Sequence, residues 1–430
     1  MKEIELALAA RALENQIQPS LDRIELLADA LGSPQLSYPT IHIGGTNGKT
    51  STTRMIDSLL FAMGLRTGRF TSPHLEDFRE RISINGEPIS QEEIEFIFND
   101  IKAYFDFVDS KSTYPLSYFE VMTALAFAAF AEHPVDVGIF EVGMGGEWDA
   151  TNVIKPDVAV ITPIGLDHQE YLGNDVVTIA NTKAGILKEG SFAVFAEQEP
   201  EVAKTLLRKA AEKSLNVARA GLDFEVLKRQ VAVGGQMISI RGTKDVYEDL
   251  YLPLHGKHQA QNAALALVAS EAFFGDKDLD IEAVREGFAT ATSPGRLEIV
   301  KREPTVILDA AHNTHGARAL ANALQEEFNF DQTIGIVGVF KDKDGAGILL
   351  ELEPVLDSVI VTQSDSPRAL PAEELAKLAR KIFGTERVIV EPDLNKAIEK
   401  ATEVNPLSDD TVGVVITGSV TTIGQARSKL

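Results

Sequence analysis

The run Gly44-Gly45-Thr46-Asn47-Gly48-Lys49-Thr50-Ser51 has the residue types of a loop that holds phosphate. Small residues let backbone N–H groups converge on an anion, and a helix starting at Lys49 adds roughly half a positive charge at its N-terminus. Lys49 would bridge the β- and γ-phosphates of a nucleotide, and the Thr50 hydroxyl would meet magnesium. The spacing is compressed: the common phosphate loop has a glycine six residues before its lysine, where this chain has Ile43. Magnesium beside phosphates needs hard oxygen ligands, usually one or two carboxylates. Glu141 qualifies, closing the apolar run VGIFE at the sheet edge where open α/β proteins bind ligands. His168, in GLDHQ, reads on its own as a structural histidine more readily than as a ligand. Asp309 closes the run TVILD, with His312 and Asn313 in the loop that follows.

Strands must present these groups. After an amphipathic opening that ends near GSPQLSYP, TIHI reads as a short buried strand and 49–63 as a helix stopped by Gly64. Apolar strands follow at VDVGIFEV and PDVAVITPI, with helical stretches at 91–109 and 117–132. This alternation predicts a parallel sheet covered on both faces. From 216 to 254 short β-branched runs joined by Gly-Gly predict a small antiparallel sheet, followed by a helix at 258–274. TSPGRLEIV marks a break near residue 293, after which β–α alternation resumes through TVILDAAHN, TIGIVGVF, DSVIVTQ, RVIVEP and TVGVVITG. The expected fold is α/β: residues 1–292 as a phosphate-loop ATPase domain with the antiparallel subsheet, and 293–430 as a Rossmann-like domain.

Composition bounds the function. A chain of 430 residues, 44% hydrophobic and 24% charged, is an ordinary soluble globular protein of two domains. No apolar run reaches the ~18 residues of a membrane span, and the N-terminus lacks a signal-like core. The absence of cysteine excludes disulfides, thiolate metal sites and cysteine nucleophiles. A net charge of -23 repels nucleic acid and anionic lipid, while leaving small anionic substrates to local cations. A cytoplasmic monomer acting on small molecules is expected.

The compressed loop resembles the phosphate loop of the Mur ligase superfamily. Within it the chain is similar to the folylpolyglutamate synthase/dihydrofolate synthase branch through TSPHL, ERISINGEPI, YFEVMTALAF, EVGMGGEWDATN, GLDHQEYLG, KAGILK, HQAQNAALA, PGRLE and DAAHN. The resemblance implies ATP held by Thr46 to Ser51, and magnesium at Thr50, Ser72, Glu141 and His168. It implies a carbamylated Lys183, which would turn a cation at the start of a helix beside the metal into a carboxylate; a phosphate-binding lysine is the other reading. It places Gln259 and Asn262 on the adenine side and Arg296 on the phosphates, where its planar fork suits bidentate contact. Asp309 and His312 would face nucleotide or the reacting phosphate, with Lys49 and Lys183 completing the catalytic set. Phe119 and Asp149 would line the folate side. The chain departs from the family pattern at Glu147, where arginine is common, at Thr314, where proline is common, and at Thr50-Ser51, which replaces Gly-Ser as in the peptidoglycan branch.

The implied reaction is carboxylate activation: ATP phosphorylates an acceptor carboxylate, and the amine of L-glutamate displaces phosphate to form an amide. The acyl phosphate needs shielding from water, so closure about a hinge near TSPGR is expected. Two alternatives are a Mur-type peptidoglycan-precursor ligase, disfavoured because only about 40 residues precede the loop, and an ATP-driven switch without ligase activity, which leaves Lys183, DAAHN and PGRLE unexplained.

Overall fold

A computed structural model describes residues 1–12, 18–403 and 411–430. The opening amphipathic segment becomes two helices, Lys2–Ala9 and Asp22–Ala30, and its residues 13–17 lie outside the described residues. Eight strands follow in the first sheet: β1 (Thr40–Gly44), β2 (Thr67–Phe70), β3 (Ile82–Ile84), β4 (Glu87–Pro88), β5 (Val137–Glu141), β6 (Val158–Ile161), β7 (Phe192–Phe195) and β8 (Asn216–Arg219). Their order is β4-β3-β2-β5-β1-β6-β7-β8, parallel from β2 to β8, with β3 and β4 an antiparallel edge.

Strand alternation sends successive side chains to opposite faces. Ile41, Ile43, Val137, Ile139, Val158 and Val160 pack on the face covered by helices Lys49–Ala62 and Lys257–Phe274. Phe70 and Phe140 face helices Gln91–Lys111 and Tyr118–Glu132. Both of those helices start at capping boxes, Ser90 with Glu93 and Ser117 with Glu120, which is why the sequence signals there are sharp.

The antiparallel sheet is smaller than expected. It comprises β9 (Glu225–Ala232), β10 (Gly235–Arg241) and β11 (Val246–Leu252), whereas 216–219 joins the large sheet as parallel edge strand β8. That segment follows helix Pro200–Glu212, so it completes a β–α–β crossover. The final sheet holds β12 (Glu298–Arg302), β13 (Thr305–Asp309), β14 (Gln332–Val337), β15 (Ser358–Val361), β16 (Val388–Val390) and β17 (Val412–Thr417), ordered β12-β13-β17-β14-β15-β16. β12 is antiparallel and β13 to β17 are parallel; the LEIV that reads in the sequence as part of a break is this edge strand.

β1 sits between β5 and β6, a switch point of the large sheet, so a crevice opens at its carboxyl end. The carboxyl ends of β13 and β17 face the same crevice, through Asp309 and Val420. No helix among the described residues is long and apolar enough to cross a membrane.

Candidate active site

The compressed loop is built around two glycines. Gly45 has φ +142, and a Cβ there would lie 1.9 Å from Thr162 Oγ1. Gly48, at φ +87, caps the helix that begins at Lys49, and a Cβ on it would lie 2.5 Å from Asn262 Oδ1. The N–H groups of Thr46 and Asn47 do not point inward as the loop composition suggests; both donate to Pro163 O, at 3.0 and 3.3 Å. The anion-facing donors are therefore the first-turn N–H groups from Lys49 onward, which no helix can satisfy internally. Lys49 Nζ donates to Gly45 O at 3.3 Å and Thr46 O at 3.1 Å, and burial lowers its pKa.

Thr50 Oγ1 donates to Glu141 Oε1 at 2.8 Å, and Ser72 N donates to Glu141 Oε2 at 3.3 Å. Burial raises the Glu141 pKa, while Lys49 and the Thr50 and Ser72 bonds oppose that shift. His168, at φ +49, lines the cleft as the residue before the short helix Gln169–Leu172. Burial pushes its imidazole down to about 3, so its ring is neutral and has a free lone pair. Among the described residues no three His, Asp or Glu side chains form a ready metal cage. Magnesium here would draw on the Glu141 carboxylate and the neighbouring hydroxyls, with phosphate oxygens and water completing its shell, which suits that ion; the His168 imidazole is its least usual ligand.

Lys183 ends helix Val176–Lys183 rather than starting one, so its position agrees with the helix dipole instead of opposing it. It is buried, and its Nζ donates to Gly45 O at 2.7 Å. Burial, followed by the Lys49 charge, lowers its pKa to about 7.

From the other lobe, Asp309 accepts Leu297 N and Ala311 N, each at 2.9 Å, and so ties the PGRLE turn to the end of β13. Burial raises its pKa and Arg296 opposes the rise. Arg296 lines the cleft beside it. His312 is fixed by its Nδ1, which donates to Ala310 O at 2.9 Å, and its Nε2 lies 3.4 Å from Asp167 Oδ2.

Asp167 is the residue that motif reading missed, although it adjoins His168. It pairs with the buried Lys343 ammonium, and it accepts Asn313 Nδ2 at 3.2 Å. Burial pushes its carboxyl up, but the His312 hydrogen bond and the neighbouring cationic groups, the Lys343 ammonium among them, hold it well below the usual carboxylate range. Asn313 also exchanges amide hydrogen bonds with Asn47 of the phosphate loop, at 3.1 and 3.4 Å. Asp167 and Asn47 thus connect the two lobes across the cleft. The only sequence signal was a carboxylate next to a histidine, which many surface loops share.

Gln259 and Asn262 pack against the loop itself: Gln259 Nε2 donates to Ser51 Oγ at 3.2 Å, and Asn262 Nδ2 to Gln259 Oε1 at 3.1 Å. Asp149 does not offer free oxygens to an acceptor. Its buried carboxylate accepts Met144 N at 2.8 Å, Thr151 N at 3.0 Å and Thr151 Oγ1 at 2.5 Å, shaping the 143–151 loop. Phe119 lies under Gly143, where a Cβ would be 2.6 Å from its ring, and beside Phe70 at 5.7 Å. It backs the cleft wall. Glu147 is exposed, and Thr314 begins helix Thr314–Glu327. The cleft encloses about 850 Å³ and is lined from both lobes, by Lys49, Glu141, His168 and Lys183 on one side and Arg296, Asp309 and His312 on the other.

A phosphate loop facing a second α/β lobe across one cleft is the arrangement of the Mur ligases. The family model for the Mur ligase middle domain matches residues 43–270, and that for the Mur ligase glutamate ligase domain matches 295–420. The chain is 51% identical over 452 residues to the dihydrofolate synthase/folylpolyglutamate synthase of Mycobacterium tuberculosis, covering 99% of this chain and 93% of that protein. The solved structure of M. tuberculosis folylpolyglutamate synthase with ADP superimposes with a TM-score of 0.95 at 51% identity, covering 99% of this chain and 97% of the other. E. coli FolC in complex with DHPP and ADP gives 0.87 at 30% identity, covering 100% and 97%. The chain belongs to the dihydrofolate synthase/folylpolyglutamate synthase family of Mur ligases.

Proposed function

We propose that this protein ligates L-glutamate to the carboxylate of dihydropteroate or a reduced folate, using ATP and passing through an acyl phosphate. The observation that carries this reading is the convergence of Lys49, Glu141 and Lys183 from one lobe with Arg296, Asp309 and His312 from the other on a single cleft. ATP and DHPP are candidate ligands because relatives were solved with ADP, and one with DHPP. The lobe boundary falls at 292/293, within a packed connector whose Ser293 Oγ lies 2.9 Å from Ser51 Oγ.

Two anions, the carboxylate and the nucleotide, repel each other, so cations must offset the developing charge. Lys49 exchanges its loop carbonyls for β- and γ-phosphate oxygens, and Arg296 presents its fork to the transferred phosphate. Glu141, Thr50, Ser72 and His168 would hold magnesium, which would supply further neutralisation of the phosphates. Asp167 keeps His312 and Lys343 in place at the lobe junction, and closure keeps water from the acyl phosphate. Lys183, largely able to shed its proton near neutrality, is suited to add CO₂: its amine attacks the carbon, one proton leaves, and a carbamate anion results. The carbamate nitrogen keeps an N–H for Gly45 O. The protein is read as a cytoplasmic monomer acting on small molecules.

The test is ADP release with Mg·ATP and L-glutamate, comparing 7,8-dihydropteroate with tetrahydrofolate. Turnover with both establishes two synthase activities, and turnover with one names which. Hydrolysis of ATP indifferent to both acceptors and to glutamate overturns the ligase reading.

A further inference from the structure

Beside the main cleft is a recess of about 20 Å³, lined by Thr50, Arg54, Thr71 and Glu80 of one lobe and by Arg296 and Val420 of the other. Arg54 stands one helical turn after Thr50, on the same face of helix Lys49–Ala62. Among the described residues it has neither a hydrogen-bond nor an ion-pair partner, although carboxylates surround it. Each of them is engaged elsewhere. Glu80 accepts Leu75 N, Glu76 N and Asp77 N at 2.9, 3.1 and 2.9 Å. Glu141 is held by Thr50 and Ser72. Asp57 gives Oδ2 to Arg69, and its Oδ1 makes no hydrogen bond. Burial and then the Arg69 charge push the Arg54 guanidinium down to about 9. Arg54 is part-exposed at the recess, so an anion arriving there would find a guanidinium with all its donors to offer.

We propose that Arg54 holds the α-carboxylate of the incoming amino acid, reaching into the recess from the main cleft. The inference rests on the ligase reading above. The recess has room for about the volume of a water, so it admits a carboxylate head and not a free-standing ligand. It opens beside Arg296, which neutralises the transferred phosphate. In an α-amino acid the amine is about 3 Å from its carboxylate oxygens. Anchoring that carboxylate at Arg54 therefore keeps the nucleophilic nitrogen next to the activated acyl group. A carboxylate of a polyglutamyl tail on the acceptor has the same chemistry, and the test separates the two sources.

The experiment compares L-glutamate with its α-amide as amino-acid substrate in the wild type, Arg54→Gln and Arg54→Lys, varying ATP, monoglutamyl and triglutamyl acceptors independently. Wild-type turnover of glutamate tests the ligase reading by itself. Arg54→Gln is expected to lose on the order of 50-fold in kcat/KM for glutamate, to accept glutamate and the α-amide about equally, and to keep its KM for ATP and both acceptors. Arg54→Lys, which keeps charge without the planar fork, is expected to fall between. Without ligand, Arg54→Gln is expected to melt no lower than the wild type. Undiminished preference for glutamate over the α-amide in Arg54→Gln overturns the proposal. A rise confined to the KM of the triglutamyl acceptor assigns the recess to the tail and also overturns it, as does a melting point several degrees lower, which makes Arg54 structural.

Discussion

Lys183 shows how much a single position depends on its surroundings. The sequence offers a lysine before Ala-Gly-Ile; the fold makes it a buried amine against the carbonyl of Gly45, with Lys49 nearby. Its folded pKa, about 7, is depressed from the ordinary value near 10.4. Between those values the unfolded chain binds more protons than the native one, so stability contributed through this group rises with pH from about 7 to 10 and its cost is fully present below 7. The free amine that adds CO₂ is about half the population at pH 7 and about a tenth of it at pH 6. Enzyme stripped of CO₂ is therefore expected to regain activity about five times faster at pH 7 than at pH 6 when dissolved CO₂ is held equal, with a mass gain of one CO₂. Reactivation indifferent to pH, or a bare amine in the active enzyme, removes the carbamate from the scheme.

At the level of elements, the last residue of helix Thr314–Glu327 is a junction. The Glu327 side chain is fully buried, pairs with Arg229 of β9, accepts Gly256 N at 2.7 Å, and lies 3.0 Å from His255 Nδ1. One carboxylate joins the antiparallel sheet, the start of helix Lys257–Phe274 and the second lobe. Glu327→Ala leaves Arg229 with Glu326 and Gln236 Oε1 but strips Gly256 N of its acceptor, and should cost about 1–3 kcal/mol, read as a lower urea midpoint. An unchanged midpoint would show that the ion cluster contributes no net stability. Helix starts at 91 and, within one residue, at 117 were legible because capping boxes are local. β2 was not, because TGRF has a glycine and an arginine where an apolar strand is expected, and Arg69 is buried only because Asp57 and Ser83 meet it.

For the whole molecule, the two lobes touch through Asn47, Asn313, Asp167 and Lys343. If those contacts hold the cleft together, Asn47→Ala should expand the ligand-free protein in small-angle scattering, with Mg·ADP restoring compactness by binding both lobes. Equal scattering from both proteins in both states would mean that the lobes are fixed and that the connector near Ser293 is no hinge. The connector's burial, with Ser293 against Ser51 and Leu297 against Asp309, shows why the segment could be found in the sequence while its mobility could not.

The sequence by itself determined the class of fold, the phosphate loop, the strand ends that carry Glu141 and Asp309, and the kind of reaction, since these depend on hydrophobic period and on motifs whose parts are close together in the chain. Tertiary structure decided which groups are spent and which are free. Asp149 precedes one short 3-10 helix and Glu80 sits in another, yet both are consumed largely by backbone N–H groups. Asp167 and Arg54 carry no distinguishing pattern, and their importance comes from partners more than 100 residues away, or from the lack of any. Charge in a folded protein is defined by burial and neighbours, and neither is local in sequence.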